Sequence, residues 1–200
     1  MRIFLILLSS LLLTACIGIP SRQSDLALYD LGQMTVPSTA PTLPIATLNV
    51  SPSPWLDSPA LLYRFNFADD LRRQTYVDSR WAAPPAELFK RHLQRQIVYG
   101  QSDAGGGGCR LELTLDELEQ QFESAQQSHV IMEVRAGLHA RHGEDSLARK
   151  VFRMQSEAPT PDARGGVQAT RSALKDFSVE LTNWLNRLAK SRPKLCRSKG

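Results

Sequence analysis

Four consecutive glycines, GGGG at 105–108, are the first feature whose residue type could do chemistry. Glycine-rich turns expose backbone N–H groups that can bind phosphate and other anions. A phosphate-binding loop also requires Gly-Lys-Ser/Thr at the start of a helix. Here the run leads through Cys109 into a segment with the alternation of a strand, so we interpret it as a connecting loop.

Histidine and carboxylate side chains could support metal or acid–base chemistry, but their spacing favours neither. His139 and His142 have a spacing that would place both imidazoles on one helix face, whereas the surrounding pattern predicts a strand and a turn. His129 lies upstream, but no third ligand follows at a fixed spacing. The sequence also has no Gly-x-Ser-x-Gly turn for a nucleophile, and its acidic pairs lie among polar neighbours. We therefore expect no metal, no cofactor and no enzyme activity.

The three cysteines offer the most informative chemistry, beginning with Cys16. Arg2 precedes an apolar run from Ile3 to Leu13 that is interrupted by two serines. This run is shorter than the about 20 apolar residues that a membrane span needs. A short basic start, a short apolar region and small residues before a processing point are typical of an export signal.

The residues Leu13-Thr14-Ala15-Cys16 resemble the lipobox of bacterial lipoproteins, in which the cysteine thiol is acylated and becomes the first residue. This resemblance predicts a signal peptide over 1–15 and palmitate-type acylation of Cys16. An ordinary signal peptide or a buried apolar helix is the alternative, but neither explains a cysteine at this position. Several acyl chains on Cys16 would make the membrane attachment lasting.

Residue 17 is Ile rather than Asp. In the Gram-negative lipoproteins that the motif resembles, this favours release to the outer membrane. We therefore expect a lipid-anchored outer-membrane protein that faces the periplasm.

Cys109 and Cys196 remain once Cys16 is used for the anchor. An oxidising periplasm allows such a pair to form a disulfide, which would stabilise the fold by about 4 kcal/mol in the chain-entropy model. Because spacing cannot show that two residues meet, a pair of free thiols stays the alternative.

The formal net charge of +4 is mild, and the basic excess is concentrated near the C-terminus. The basic residues there are Arg187, Lys190, Arg192, Lys194, Arg197 and Lys199. Such a tail could contact anionic head groups, or it could be solvated, with its first charges complementing a helix C-terminus. Export from the cytoplasm argues against a nucleic-acid partner.

The first group of predicted elements contains strands and one helix. Apolar alternation predicts a short strand within 26–32, a strand over 45–52, and a hairpin formed by ALLYRF (60–65) and LRRQTYV (71–77). A helix is expected from Pro84 to about Tyr99, because its apolar residues recur at spacings of four.

The second group repeats this order. CRLELTL (109–115) alternates strictly, an irregular acidic continuation follows over 116–124, and strands over 129–140 and 147–157 complete an antiparallel meander. A long amphipathic helix is expected over about 162–189.

Together these elements predict one α/β domain with a mixed, mostly antiparallel sheet and two main amphipathic helices packed on it. We place a tether at 16–25 and assign the domain, with its basic tail, to 26–200.

Two tryptophans are candidates for contact with a partner. Trp55 lies in the polar turn PSPWLDSP, and an exposed tryptophan there would be an interface anchor. For Trp81, packing of the helix against the sheet is favoured over partner contact.

The order of these features resembles the ABC-type transport auxiliary lipoproteins. The matching pieces are the lipobox, YDLG, WLDSP followed by LLYR, YVDSRWAAPPAELFKRHL, CRLELTL, the meander, and a terminal helix with LTNWL. The resemblance implies an α/β sandwich and an envelope transport system that moves lipids or other hydrophobic compounds. That system has an inner-membrane ATPase and permease and a periplasmic subunit of the mammalian-cell-entry type. Arg80 and Trp81 match motif positions, so we add them to Trp55 as candidate partner-binding residues.

We therefore expect a non-enzymatic docking subunit that binds the mammalian-cell-entry-type subunit. The alternatives are a periplasmic carrier that binds lipid between its helices and its sheet and, in third place, an envelope hydrolase. Homo-oligomerisation stays open.

Overall fold

The structure is a computed structural model that describes residues 25–34, 41–97, 108–141 and 146–196. The predictions for the signal peptide, for Cys16 and for 105–107 of the glycine run lie outside these ranges. So do His142 and the last two basic residues, Arg197 and Lys199.

Within the described residues, seven strands and two main helices form one domain. They are β1 (Ala27–Tyr29), β2 (Ile45–Pro52), β3 (Ala60–Phe65), β4 (Arg73–Trp81), α1 (Pro85–Ile97), β5 (Cys109–Phe122), β6 (Ser128–Ala140), β7 (Ser146–Glu157) and α2 (Ala163–Ser191). A short 3-10 turn, Pro54–Leu56, lies between β2 and β3. The α/β fold class with a mixed sheet and two helices is confirmed.

The strands follow the order β1-β4-β3-β5-β6-β7, and β2 pairs with β5 beside this path. β5 is long enough to have two neighbours along one edge: β2 pairs in parallel with its first half and β3 with its last residues. The 3-10 turn occupies the step between these two neighbours. The long antiparallel pairs are β5–β6 and β6–β7, which form the predicted meander.

Both helices cover the same face of the sheet. On α1, Phe89, Leu93 and Ile97 are buried at the predicted spacing of four. On α2, the side chain of Asp162 caps the N-terminus by accepting a hydrogen bond from the backbone N–H of Gly165 at 2.7 Å. Burying the two apolar stripes on one face leaves the opposite face of the sheet without a described helix over it.

The acidic stretch after Leu115 continues β5 as far as Phe122, and the irregularity predicted there is confined to one position. The pairing of β5 with β6 shifts by one residue between Leu115 and Glu117, which makes Asp116 a bulge. Such an extra residue reverses the phase of the alternation. Leu118 therefore returns to the core, and the alternation is regular on each side of the bulge. β4 likewise extends beyond its predicted end and finishes at Trp81.

The C-terminus is tied to the start of β5. Cys109 and Cys196 form a disulfide, with their Cα atoms 4.9 Å apart. Next to it, the backbone N–H of Gly108 donates to the carbonyl of Cys196 at 2.7 Å. The bridge that an oxidising periplasm predicts is present in the structure.

Among the described residues, no helix is both long and apolar enough to cross a membrane.

Candidate functional site

The structure separates the three candidate partner-binding residues. Trp55 is 51% exposed, whereas Trp81 is 3% exposed and lies in the core. Arg80 is exposed, because successive side chains of a strand point to opposite faces and its neighbours Ser79 and Trp81 are buried. Trp81 therefore packs under the helices, which agrees with the packing interpretation favoured from the sequence, and its place among the candidate partner-binding residues is withdrawn.

Trp55 lies beside the uncovered face of the sheet on a well-anchored turn. The backbone N–H of Ser53 donates to the carbonyl of Leu115 at 2.9 Å, and its hydroxyl donates to Asp116 at 3.2 Å. The guanidinium of Arg73 lies 5.8 Å from the centroid of the Trp55 ring. This cation–π contact and the buried Leu56 hold the indole in place while leaving half of it accessible.

A buried carboxylate holds the neighbouring strands together. The side chain of Glu119 is 1% exposed; Arg64 Nε and Arg73 Nε each donate to it at 2.9 Å. Gln121 donates a further hydrogen bond at 2.8 Å. These contacts join β3, β4 and β5 beneath the outer surface of the uncovered face.

The environment moves the pKa values of two neighbouring carboxyls in opposite directions. Burial alone would raise the pKa of Glu119, but hydrogen bonds from Arg64 and Gln121 and the charges of both arginines hold it below its ordinary value. Burial raises the pKa of Glu117, because Arg73 only partly offsets it and the charge of Glu119 adds to it. Glu119 is therefore the more acidic carboxyl of the pair.

Over β5 and β6, the two most exposed ion pairs of the uncovered face present their guanidiniums outermost. Arg135 lies 61% exposed over Asp116 and donates to both carboxylate oxygens, one of them at 2.7 Å. Arg153 lies 75% exposed and donates to Glu133. The two carboxylates are less accessible, at 18% for Asp116 and 32% for Glu133. The acids thus lie beneath the cations and fix their positions.

Two depressions flank the pair formed by Arg135 and Asp116. One, of about 500 Å³, is lined by Arg135, Gly137 and Val151 among others. A Cβ on Gly137 would lie 2.8 Å from His139 Nε2, so glycine leaves room for the imidazole two residues further along β6. The other depression, of about 580 Å³, is lined by residues that include Trp55, Asp116 and Ile131.

The interface between α2 and the sheet is tightly packed. The cavity bounded by Tyr76, Trp81 and Gly166 measures only about 20 Å³. Gln120 fills the adjacent space, since a Cβ on Gly166 would lie 2.2 Å from its side-chain oxygen. This cavity has room for about one water molecule and none for an acyl chain, which argues against a lipid carried there.

Within the described ranges, no group of three His, Cys, Asp or Glu side chains lies close enough to hold a metal ion. The polar neighbours of the acids after Leu115 indicate a solvated face and do not connect these acids with the arginines of the meander. The available signal was the alternation of charged residues in β5, β6 and β7, opposite the apolar positions.

Two crystal structures share this fold at low sequence identity. A protein from Xanthomonas campestris, of the family model DUF330, superposes with a TM-score of 0.69 at 16% identity, over 84% of this chain and 99% of that one. An uncharacterized protein superposes with a TM-score of 0.60 at 12% identity, over 80% of this chain and 97% of that one. No curated protein matches the sequence.

The model of the family described as the ABC-type transport auxiliary lipoprotein component matches residues 29–182. That span runs from the end of β1 into α2 and includes β2 to β7 and the turn that holds Trp55. The chain therefore belongs to the ABC-type transport auxiliary lipoprotein family.

Proposed function

We propose that this protein is a non-enzymatic docking subunit of an envelope transport system that moves lipids or other hydrophobic compounds. Acylated Cys16 anchors it in the outer membrane, and its domain faces the periplasm. There it binds a periplasmic subunit of the mammalian-cell-entry type that belongs to an ABC transporter.

Membership of the transport auxiliary family supports the link to an ABC system. The observation that carries the docking role is the uncovered face of the sheet, where Trp55 and the arginines over β5 and β6 are held rigidly yet remain accessible. A protein that carried lipid by itself would need an apolar cavity, and the described cavity between α2 and the sheet, beside Tyr76 and Gly166, measures only about 20 Å³.

Affinity purification of the tagged full-length lipoprotein from membranes tests the docking role. We expect a mammalian-cell-entry-type subunit to be recovered with it. Repeated recovery of the lipoprotein alone, after mild chemical cross-linking of intact cells, would contradict the proposal.

Mass spectrometry of the mature N-terminus tests the anchor, with Cys16→Ala as the matched control. We expect the wild-type chain to begin at an acylated Cys16 and to fractionate with outer membranes on a density gradient. A wild-type chain that still begins at Met1 would contradict the proposed anchor. Fractionation with inner membranes would contradict the proposed outer-membrane location.

A further inference from the structure

We propose that the uncovered face binds an acidic surface of its partner protein through Arg135, Arg149 and Arg153, with Trp55 as the apolar anchor. We call this surface the arginine face. The inference rests on the proposed function, since it names the surface and the chemistry by which a docking subunit engages the transporter's periplasmic subunit.

The first argument is that the positive groups lie further from the sheet than the carboxylates with which they pair. A partner that approaches β6 and β7 first meets the guanidiniums of Arg135 and Arg153, because their paired carboxylates lie beneath them. Arg149 extends the same surface and is exposed, with its Nε donating to Ser146 Oγ at 2.9 Å. The outer layer over β6 and β7 is therefore positive, although Glu112 of β5 is 45% exposed in the pair that it forms with Arg110. An acidic surface complements this part of the face.

The kind of cation is the second argument. The basic residues that point outward from β6 and β7 are arginines, whereas Lys150 of β7 points to the helix side, 4.2 Å from the Phe152 ring and 3.5 Å from Glu180. Arginine has a planar fork that binds carboxylates through two hydrogen bonds and is less strongly hydrated than lysine. Arginine and tryptophan are also the residues that most often dominate binding energy at protein interfaces.

Rigidity and shape are the third argument. Asp116 and Glu133 hold Arg135 and Arg153 in place before any partner arrives, so less side-chain entropy is lost on binding. The depressions on either side of the Arg135–Asp116 pair measure about 500 and 580 Å³ and include the exposed Val151 and half-exposed Trp55. Side chains of a protein partner can enter them on both sides of the guanidinium.

A second copy of the chain fits this surface less well. Face-to-face pairing of two copies would bring arginines against arginines, which is unfavourable at short range. Anionic lipid would satisfy the charges, so the experiment below identifies the bound species directly.

The test uses the full-length lipidated protein purified from membranes. The variant R135E/R153E reverses the outer charges, and R135Q/R153Q removes them without placing new acids beside Asp116 and Glu133. The matched control is K175E/R187E, which makes the same charge change on exposed positions of α2. Thermal unfolding of each variant confirms that it is folded.

We expect R135E/R153E to lower recovery of the mammalian-cell-entry-type subunit by about tenfold or more, R135Q/R153Q to lower it less, and the control to leave it unchanged. Wild-type recovery should also fall as salt concentration rises. Equal recovery with wild type and both arginine variants would overturn the arginine face while leaving the docking role intact. Failure of wild type to recover any transporter subunit would instead count against the docking role.

Site-specific photo-crosslinking identifies what lies on the surface. A benzophenone amino acid at Val151 should form an adduct with the transporter subunit, and one at Lys175 should not. An adduct at Val151 with lipid or with a second copy of the chain would overturn the proposal, as would an adduct at Lys175 in the absence of one at Val151.

Discussion

Glu119 is a charged residue whose side chain is almost completely buried, which its residue type does not predict. Strand alternation places it on the polar side of β5, where a solvated carboxylate is the ordinary expectation. Instead it is buried beneath Arg64 and Arg73, on the face that no described helix covers. The burial comes from β3 and β4, which approach β5 from a distant part of the chain.

Replacing Glu119 by Gln should lower the free energy of unfolding by about 2 kcal/mol, since two partly buried guanidiniums lose their shared anion. Urea denaturation monitored by circular dichroism measures this. Glu87→Gln is the control, because Glu87 and Arg91 form an exposed pair on α1 at 3.8 Å. Equal effects of the two substitutions would contradict the role of Glu119.

His92 on α1 predicts a pH dependence of stability. Burial, with a contribution from Arg95, lowers its pKa from the ordinary value of 6.5. The unfolded chain then binds a proton that the folded chain resists, so the free energy of unfolding falls as pH drops through about 6.5 toward the lowered pKa. Denaturation at a series of pH values should show a shallower fall for His92→Gln than for wild type. Identical slopes for the two proteins would refute this prediction.

At the scale of elements, α2 depends on a close approach to β5. Gly166 lies against Gln120, whose side-chain oxygen accepts a hydrogen bond from the Tyr76 hydroxyl at 2.9 Å. The glycine therefore lets one helix, one strand and the β4 tyrosine meet at a single point. Such a contact is invisible in helix periodicity, because glycine carries no apolar side chain into the pattern.

Substituting Gly166 by Ala should destabilise the protein by about 1–3 kcal/mol, because the new methyl group overlaps Gln120. Thermal unfolding provides the measurement, and Ser172→Ala at an exposed position of the same helix serves as the control. Alanine is a better helix former than glycine. A gain in stability for Gly166→Ala would show that Gln120 moves aside at little cost.

At the scale of the whole molecule, the disulfide joins the end of the chain to the middle of the sheet. Cys109 is fully buried at the start of β5, and Cys196 follows α2. The bridge closes a sequence separation of 87 and so fixes the end of the second helix relative to β5.

The double substitution C109S/C196S should lower the free energy of unfolding by about 2–5 kcal/mol. Replacing both cysteines avoids leaving one reactive thiol. Wild type kept under strong reductant should unfold at nearly the same denaturant concentration as the double variant. An oxidised wild type no more stable than the variant would mean that the bridge adds nothing to stability.

The sequence by itself determined most of the elements. Spacings of two and of three to four locate the strands and both helices, because these periods follow from the local geometry of the backbone. The lipobox pattern and the export context likewise predict the use of Cys16 and make a bridge between the other two cysteines reasonable. Each of these inferences needs only residues that are neighbours in the chain or the number of cysteines.

Only the tertiary structure decided which residues form a surface. The bulge at Asp116 and the burial of Glu119 depend on which strands become neighbours. The arginine face has the same origin, since its arginines come from β6 and β7, and its tryptophan from a turn far earlier in the chain. Pairing between distant segments sets the register and selects the face that the helices cover, and neither choice is encoded in a local period.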